Sequence, residues 1–124
     1  LSNGNKYHIR IDKLAKDDST YFICDYKTNN RLKSQDEIDN DRQLAMYSLW
    51  VKEKFEDCKN IKLVWHFLAF DGEKISERDE ISLVRVKNEV EDDIKEIEQE
   101  ENFETNPGVL CNWCEFKPVC KEFN

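Results

Sequence analysis

One stretch of the chain carries charges where chemistry is possible. Within Tyr21–Thr28 (Tyr-Phe-Ile-Cys-Asp-Tyr-Lys-Thr), Asp25 and Lys27 lie two residues apart in an apolar run that is typical of a β-strand. Side chains alternate faces along a strand, so this carboxylate and this ammonium share a face, and Cys24 and Tyr26 point to the other layer. Asp-x-Lys triplets are common in a chain with 37% charged residues, and most are exposed ion pairs. This triplet is unusual because it lies on an apolar strand.

A second carboxylate, Asp12, belongs to the preceding strand-like segment, residues 7–14. The short polar link of residues 16–20 predicts a hairpin that brings Asp12 alongside Asp25. Two converging carboxylates repel each other unless a cation lies between them, and hard oxygen ligands select Mg²⁺ or Mn²⁺. Lys27 would then hold or deprotonate a water molecule. These residues predict metal-assisted hydrolysis of a phosphodiester.

Two motifs in this region resemble signatures of the RecB-like branch of the PD-(D/E)XK nucleases. Ile11-Asp12-Lys13 is similar to the family's Ile-Asp-Arg motif, and Asp25-Tyr26-Lys27-Thr28 matches its Asp-Tyr-Lys-Thr motif. The resemblance implies an α/β fold, with a central mixed β-sheet flanked by helices. It implies that Asp12, Asp25 and the Tyr26 carbonyl bind Mg²⁺ or Mn²⁺, and that Asp12, Asp25 and Lys27 are catalytic. The family usually has a glycine at the position of Ile9.

The same resemblance implies a function. It predicts a metal-dependent exonuclease that acts on single-stranded DNA ends in repair, recombination or CRISPR adaptation, with a helicase or CRISPR-adaptation protein as partner. The alternative is a non-catalytic module that keeps the fold and binds DNA or a helicase. The family also draws a metal ligand from further upstream, and Leu1 is not a methionine. We therefore expect a single nuclease-like domain, residues 1–124, from the C-terminal part of a longer protein.

Two further pairs of residues are candidates for substrate binding. Gln43 and Tyr47 lie one turn apart on a predicted helix that Asp39 or Asp41 caps and that ends near Phe55. By resemblance to the family's Gln-x-x-x-Tyr motif, we assign Gln43 and Tyr47 to substrate positioning. Residues 29–40 have no apolar periodicity and predict a loop, whose Arg31 and Lys33 are possible phosphate ligands or simply solvated charges.

Residues 61–97 are predicted to form strands and a helix with a structural role. The apolar run at residues 61–70 predicts a buried central strand, and we interpret its His66 as a core residue. Asp71-Gly72 predicts a turn into an edge strand over residues 74–81. Apolar residues from Leu83 to Ile97 repeat every three or four positions, which predicts an amphipathic helix.

The last nineteen residues, 106–124, form a cysteine-rich tail. Cys111, Cys114 and Cys120 are spaced two and then five residues apart, which suits a metal or cluster held by thiolates. Buried reduced thiols are the alternative role. One subset of RecB-like nucleases ends in this pattern and binds a 4Fe-4S cluster, so the resemblance favours iron–sulfur over Zn²⁺. Neither Cys24 nor Cys58 matches the family position of the fourth ligand.

Composition limits the remaining possibilities. The net charge of −8 opposes nucleic-acid binding, but residues 88–104 hold nine acids and one lysine, a local sum of −8. The other residues therefore balance at zero, and the acidity is confined to one helix. No apolar stretch is long enough to span a membrane and no signal-peptide pattern is present, so we expect a cytoplasmic protein.

Overall fold

A four-stranded mixed sheet forms the centre of the fold in a computed structural model that describes residues 1–2 and 4–123. The strands are β1 (Lys13–Asp17), β2 (Thr20–Lys27), β3 (Asn60–Phe67) and β4 (Gly72–Glu77), in the spatial order β1-β2-β3-β4. β2 and β3 are parallel, and the two outer pairs are antiparallel. A parallel pair requires a crossover, which here contains two helices. The predicted α/β fold with a mixed sheet flanked by helices is confirmed.

The first hairpin is tighter than the sequence predicted. β1 pairs with β2 from Lys13 opposite Cys24 to Asp17 opposite Thr20, so only two residues form the turn. Asp18 has a φ of 51°, a left-handed conformation that Asp tolerates well. The predicted strand over residues 7–14 is wrong, because the chain bends at Asp12 and pairing begins at Lys13.

Three helices follow from local signals. α1 (Gln35–Asp39) lies inside the predicted loop, and Ser34 and Glu37 form a capping box at its start. α2 (Arg42–Lys54) is capped by Asp41, as predicted. α3 (Glu80–Gln99) begins earlier than expected, because the Asp79 carboxylate accepts the Ser82 N–H at 2.8 Å. The predicted strand over residues 74–81 therefore ends at Glu77.

The core lies between one face of the sheet and α1 and α2. Alternate residues of β2 and β3, such as Ile23, Leu63 and Trp65, are buried against Leu44 and Val51 of α2. A second cluster joins α2 to α3 through Ala45, Met46, Leu83 and Val86. Asp25 and Lys27 are in phase with Ile23, so they project from the face that α1 and α2 cover.

The chain divides into two compact units, residues 1–93 and 94–124. The first contains the sheet, α1, α2 and most of α3. The second contains the end of α3 and two short 3-10 helices, Val109–Trp113 and Lys117–Val119, that carry the cysteine-rich tail. Among the described residues, no helix is long and apolar enough to cross a membrane.

Candidate active site

Asp12 and the Asp25–Lys27 pair meet where β1 and β2 begin to separate. The Asp12 carboxylate accepts the backbone N–H of Tyr26 through Oδ2 at 3.0 Å. In a continuing β-ladder, the Tyr26 N–H would donate to a main-chain carbonyl of the neighbouring strand. Here the Asp12 carboxylate accepts it instead, which ends the strand pairing and holds Asp12 beside Asp25. Lys27 Nζ lies 2.7 Å from Asp25 Oδ2, and 26% and 14% of their side chains are exposed. The structure therefore brings the three predicted residues together.

One buried oxygen of Asp25 is ion-paired but lacks an aligned hydrogen bond. Its Oδ2 atom is buried without a hydrogen bond, because Lys27 Nζ is close but lies off the direction that a hydrogen bond requires. Trp65 is its neighbour in the parallel ladder, and the buried Trp65 Nε1 also has no partner. Buried polar atoms are almost always hydrogen-bonded, so each exception requires an explanation. A functional site is one explanation, since its groups are completed by a substrate or an ion.

A comparison with protein-family models decides the family. Residues 9–121 match the model described as the PD-(D/E)XK nuclease superfamily, which covers the sheet, the helices and the cysteines. The chain belongs to the PD-(D/E)XK nuclease superfamily. No curated protein and no solved structure matches the chain significantly. The superfamily consists generally of metal-dependent nucleases, typically using Mg²⁺ or Mn²⁺, and a nuclease domain implies DNA as its substrate.

The site of this superfamily member fits a hard divalent cation in part. Asp12 and Asp25 supply two carboxylates, and the buried Asp25 oxygen, which pairs with Lys27 without an aligned hydrogen bond, has the chemistry of a Mg²⁺ or Mn²⁺ ligand. No third acid, His or Cys joins them, since residues 1–2 and 4–123 contain no group of three such side chains placed to hold a metal. Mg²⁺ usually keeps several waters and is bound through one or two carboxylates, so two suffice if main-chain and water oxygens complete the shell.

The predicted substrate residues lie in two different settings. Gln43 donates through Nε2 to the Tyr47 hydroxyl at 3.1 Å on α2, the helix that packs over the face of Asp25 and Lys27. Gln43 is exposed, whereas Tyr47 is buried in the core cluster. Arg31 instead pairs with Glu37 of α1, and Lys33 Nζ lies 3.2 Å from the Asp41 carboxylate. The structure thus gives both cations a local role at the helix termini.

His66, next to Tyr26 in the sheet, has a different environment from the one predicted. His66 is half-exposed, stacks on the Tyr26 ring with 5.0 Å between centroids, and places Nδ1 3.2 Å from the Glu73 carboxylate. It was predicted to be a core residue of a strand buried on both faces. The predicted strand over residues 61–70 is also too long, because it ends at Phe67 and its last three residues form a 3-10 helix.

The three tail cysteines do not gather into a metal site among the described residues. The Gly108 N–H donates to Cys111 Sγ at 3.3 Å, and the Cys114 N–H donates to the Cys111 carbonyl. Burial raises the pKa of Cys24, and likewise that of Cys58, so both thiols are held in the protonated form that binds metals poorly. Several large apolar side chains of the tail are exposed, including Leu110, Trp113, Phe116 and Val119.

Proposed function

We propose that this protein is a Mg²⁺- or Mn²⁺-dependent deoxyribonuclease that hydrolyses DNA from single-stranded ends. The observation that carries the proposal is the Asp12 carboxylate held on the N–H of Tyr26, between Asp25 and Lys27 in the chain, where the Asp25–Lys27 ion pair leaves a buried Asp25 oxygen without an aligned hydrogen bond. Membership of the superfamily supports hydrolysis of phosphodiester bonds. The preference for single-stranded ends is an expectation from the RecB-like motifs.

Each residue of the site has a chemical role in this proposal. Bound Mg²⁺ or Mn²⁺ would supply Lewis acidity and lower the pKa of a water ligand. Asp12 and Asp25 would hold the ion, with the Tyr26 carbonyl as a further oxygen ligand. The Tyr26 N–H fixes the Asp12 carboxylate in place. Lys27 orients the attacking water and neutralises charge that develops on the phosphoryl oxygens.

The proposal is tested by cleavage of end-labelled DNA with Mg²⁺, with Mn²⁺ and with EDTA. We expect metal-dependent cleavage, which Asp25→Ala and Lys27→Ala abolish without unfolding the protein. Asp93→Ala is the matched control, because Asp93 is an exposed acid paired with Arg42 in the same unit. Unchanged cleavage in both site variants would refute the assignment of the active site.

A second experiment addresses the mode of digestion. A linear single strand and its circular form have the same phosphodiesters, but only the linear form has ends. We expect the linear form alone to be degraded. The proposed processes are repair, recombination or CRISPR adaptation in the cytoplasm, with a helicase or CRISPR-adaptation protein as partner. Degradation of the circle at an equal rate would make the protein an endonuclease.

We further propose that Cys111, Cys114 and Cys120 bind a soft metal centre, a 4Fe-4S cluster or alternatively Zn²⁺. Their spacing supports thiolate ligation, and the resemblance to one RecB-like subset favours iron and sulfur. Visible absorbance and metal content of protein purified without oxygen separate the two. Colourless protein with stoichiometric zinc would exclude the cluster, and protein with neither metal would exclude both.

A non-catalytic DNA-binding module is the second candidate function. It is favoured by one observation, that the described residues supply only two carboxylates and no third acidic, His or Cys ligand at the site. It predicts DNA binding with no cleavage under any divalent metal. The same end-labelled assay therefore distinguishes the two candidates.

A further inference from the structure

An apolar slot of about 380 Å³ opens directly beside Asp12. Four half-buried apolar side chains form its walls and pack against the core cluster beneath: Ile9, Ile11, Leu14 and Trp50. Asp12 and Lys13, both exposed, complete its rim. One of the two proposed metal ligands therefore also borders this slot, so an occupant of the slot would lie next to the proposed metal site.

The segment that forms the slot carries the opposite charge to the rest of the chain. Residues 6–13 contain Lys6, Arg10 and Lys13 against a single acid, Asp12, which gives a local sum of +2 in a chain of net charge −8. The three cations are exposed, and Ile9 and Ile11, on either side of Arg10, are half-buried. Lys13 borders the slot itself, beside Asp12, and Lys6 and Arg10 lie exposed on the same segment. Apolar walls with cations on the adjoining surface suit a nucleotide, which has an apolar base face and an anionic phosphate.

Trp50 supplies the flat surface that a base requires. Its ring contacts Phe55 edge-on, with 6.0 Å between centroids, and this contact fixes the indole from one side. Stacking of a base on an aromatic side chain tolerates any sequence, because every base has a π-face. Because Phe55 already restrains the Trp50 indole, the side chain would lose little conformational entropy when a base stacks on it.

We propose that this slot binds one nucleobase of the DNA strand, stacked on Trp50, and so sets the strand's position relative to Asp12. The inference rests on the proposed nuclease function and deepens it. It makes Trp50 a positioning residue for a strand whose phosphate lies at the metal site. A duplex base is stacked and paired, so the slot admits an unpaired base and favours single-stranded substrate.

The test compares protein variants with DNA that lacks a single base. A set of single-stranded oligonucleotides, each with one abasic position near the end, is titrated against the protein in Ca²⁺ to measure Kd. For the wild type we expect about a ten-fold increase in Kd at one abasic position, since stacking of one base has an effect of that order. Trp50→Ala should bind intact and abasic DNA equally weakly, whereas Trp50→Phe should retain most of the discrimination.

The controls separate this proposal from the proposed function. Trp113→Ala changes an exposed Trp in the other unit and should bind as the wild type does. If the wild type cleaves DNA but no abasic position weakens binding, the slot proposal is wrong and the nuclease proposal stands. The same conclusion follows if Trp50→Ala keeps the full discrimination. A wild type that neither binds nor cleaves DNA would overturn both. The comparison of abasic oligonucleotides uses wild-type protein, so it tests the proposal even if the Trp50 variants fail to fold.

Discussion

Two charged clusters in the first unit are built from similar residues but are satisfied to different degrees. In the Arg78 cluster, the guanidinium donates to the Ile38 carbonyl at 2.8 Å and to Ser76 Oγ, and the Ser76 hydroxyl donates to Asp39. Gln35 donates to the same Asp39 oxygen. In the Asp25 cluster, formed by Asp12, Asp25 and Lys27, a buried Asp25 oxygen is ion-paired with Lys27 Nζ at 2.7 Å but has no aligned hydrogen bond.

The difference indicates what each cluster contributes. A buried polar network in which each member has partners stabilises the fold, and loss of one member leaves the others unpaired. A cluster held by an ion pair without an aligned hydrogen bond gains less stability from its charges and can still bind a ligand. We therefore expect opposite responses to substitution: loss of stability at the Arg78 cluster, and loss of activity at the Asp25 cluster.

The largest effect is expected at Asp25. Asp25→Asn keeps the side-chain shape but removes the charge that would hold a cation, so cleavage should fall on the order of 10³-fold. The free energy of unfolding should fall by only about 1 kcal/mol, because the change removes one ion pair, whose Lys27 side chain still reaches solvent, and keeps the shape of the side chain. The matched change, Asp39→Asn, should keep turnover and lower stability. The comparison fails if Asp25→Asn unfolds the protein as readily as it inactivates it.

The next largest expected effect is a loss in the free energy of unfolding when Arg78 is replaced. Arg78→Ala leaves the carbonyls of Ile38 and Glu77 and the Ser76 hydroxyl without their donor, so urea denaturation should show a loss of about 2 kcal/mol. Arg85→Ala is the control, because Arg85 is exposed and pairs only loosely with Glu89 at 3.7 Å. Turnover per folded molecule should be unchanged in both. Equal denaturation midpoints for the two variants would contradict a structural role for Arg78.

A smaller effect is expected at the Gln43–Tyr47 pair. Tyr47→Phe removes the hydroxyl that Gln43 Nε2 donates to, so Gln43 loses its orientation and the KM for DNA should rise several-fold with kcat nearly constant. Tyr21→Phe is the matched control, since it removes a hydroxyl that donates to Asp57 at 2.8 Å. It should change stability but not KM. If KM rises equally in both variants, Tyr47 has no special role in positioning the strand.

The sequence predicted the elements that local rules determine. Strand alternation placed Asp25 and Lys27 on one face, and the short link placed Asp12 beside them. α2 was predictable from its apolar periodicity and the Asp41 cap. α1 was missed although Ser34 and Glu37 form a capping box, because this single turn and a half buries only Ile38. The end of β4 was misplaced because the capping role of Asp79 was not recognised.

The remaining features depend on distant contacts. The slot beside Asp12 joins residues 9–14 to Trp50, and Trp50 was predicted only to widen the apolar face of α2. His66 was assigned to the core because its strand is apolar, but its place depends on Tyr26 of one neighbouring strand and Glu73 of the other. The catalytic and metal-binding roles of Asp12, Asp25 and Lys27 stay predictions, which the variants above address.

The smallest expected effect is a pH dependence of the free energy of unfolding at Asp39, which further separates the Arg78 cluster from the Asp25 cluster. Hydrogen bonds from Ser76 and Gln35 hold the pKa of Asp39 below its ordinary value. In the unfolded chain Asp39 takes up its proton at a higher pH, near 4, than it does in the folded protein. The stabilisation from the Asp39 carboxylate is therefore complete above about pH 4 and is lost as pH falls through the pKa of Asp39 in the folded protein. Unfolding free energies measured between pH 3 and 6 should show Asp39→Asn approaching the wild type at the acid end. A constant gap between Asp39→Asn and the wild type over this range would mean that the Asp39 proton is not linked to folding.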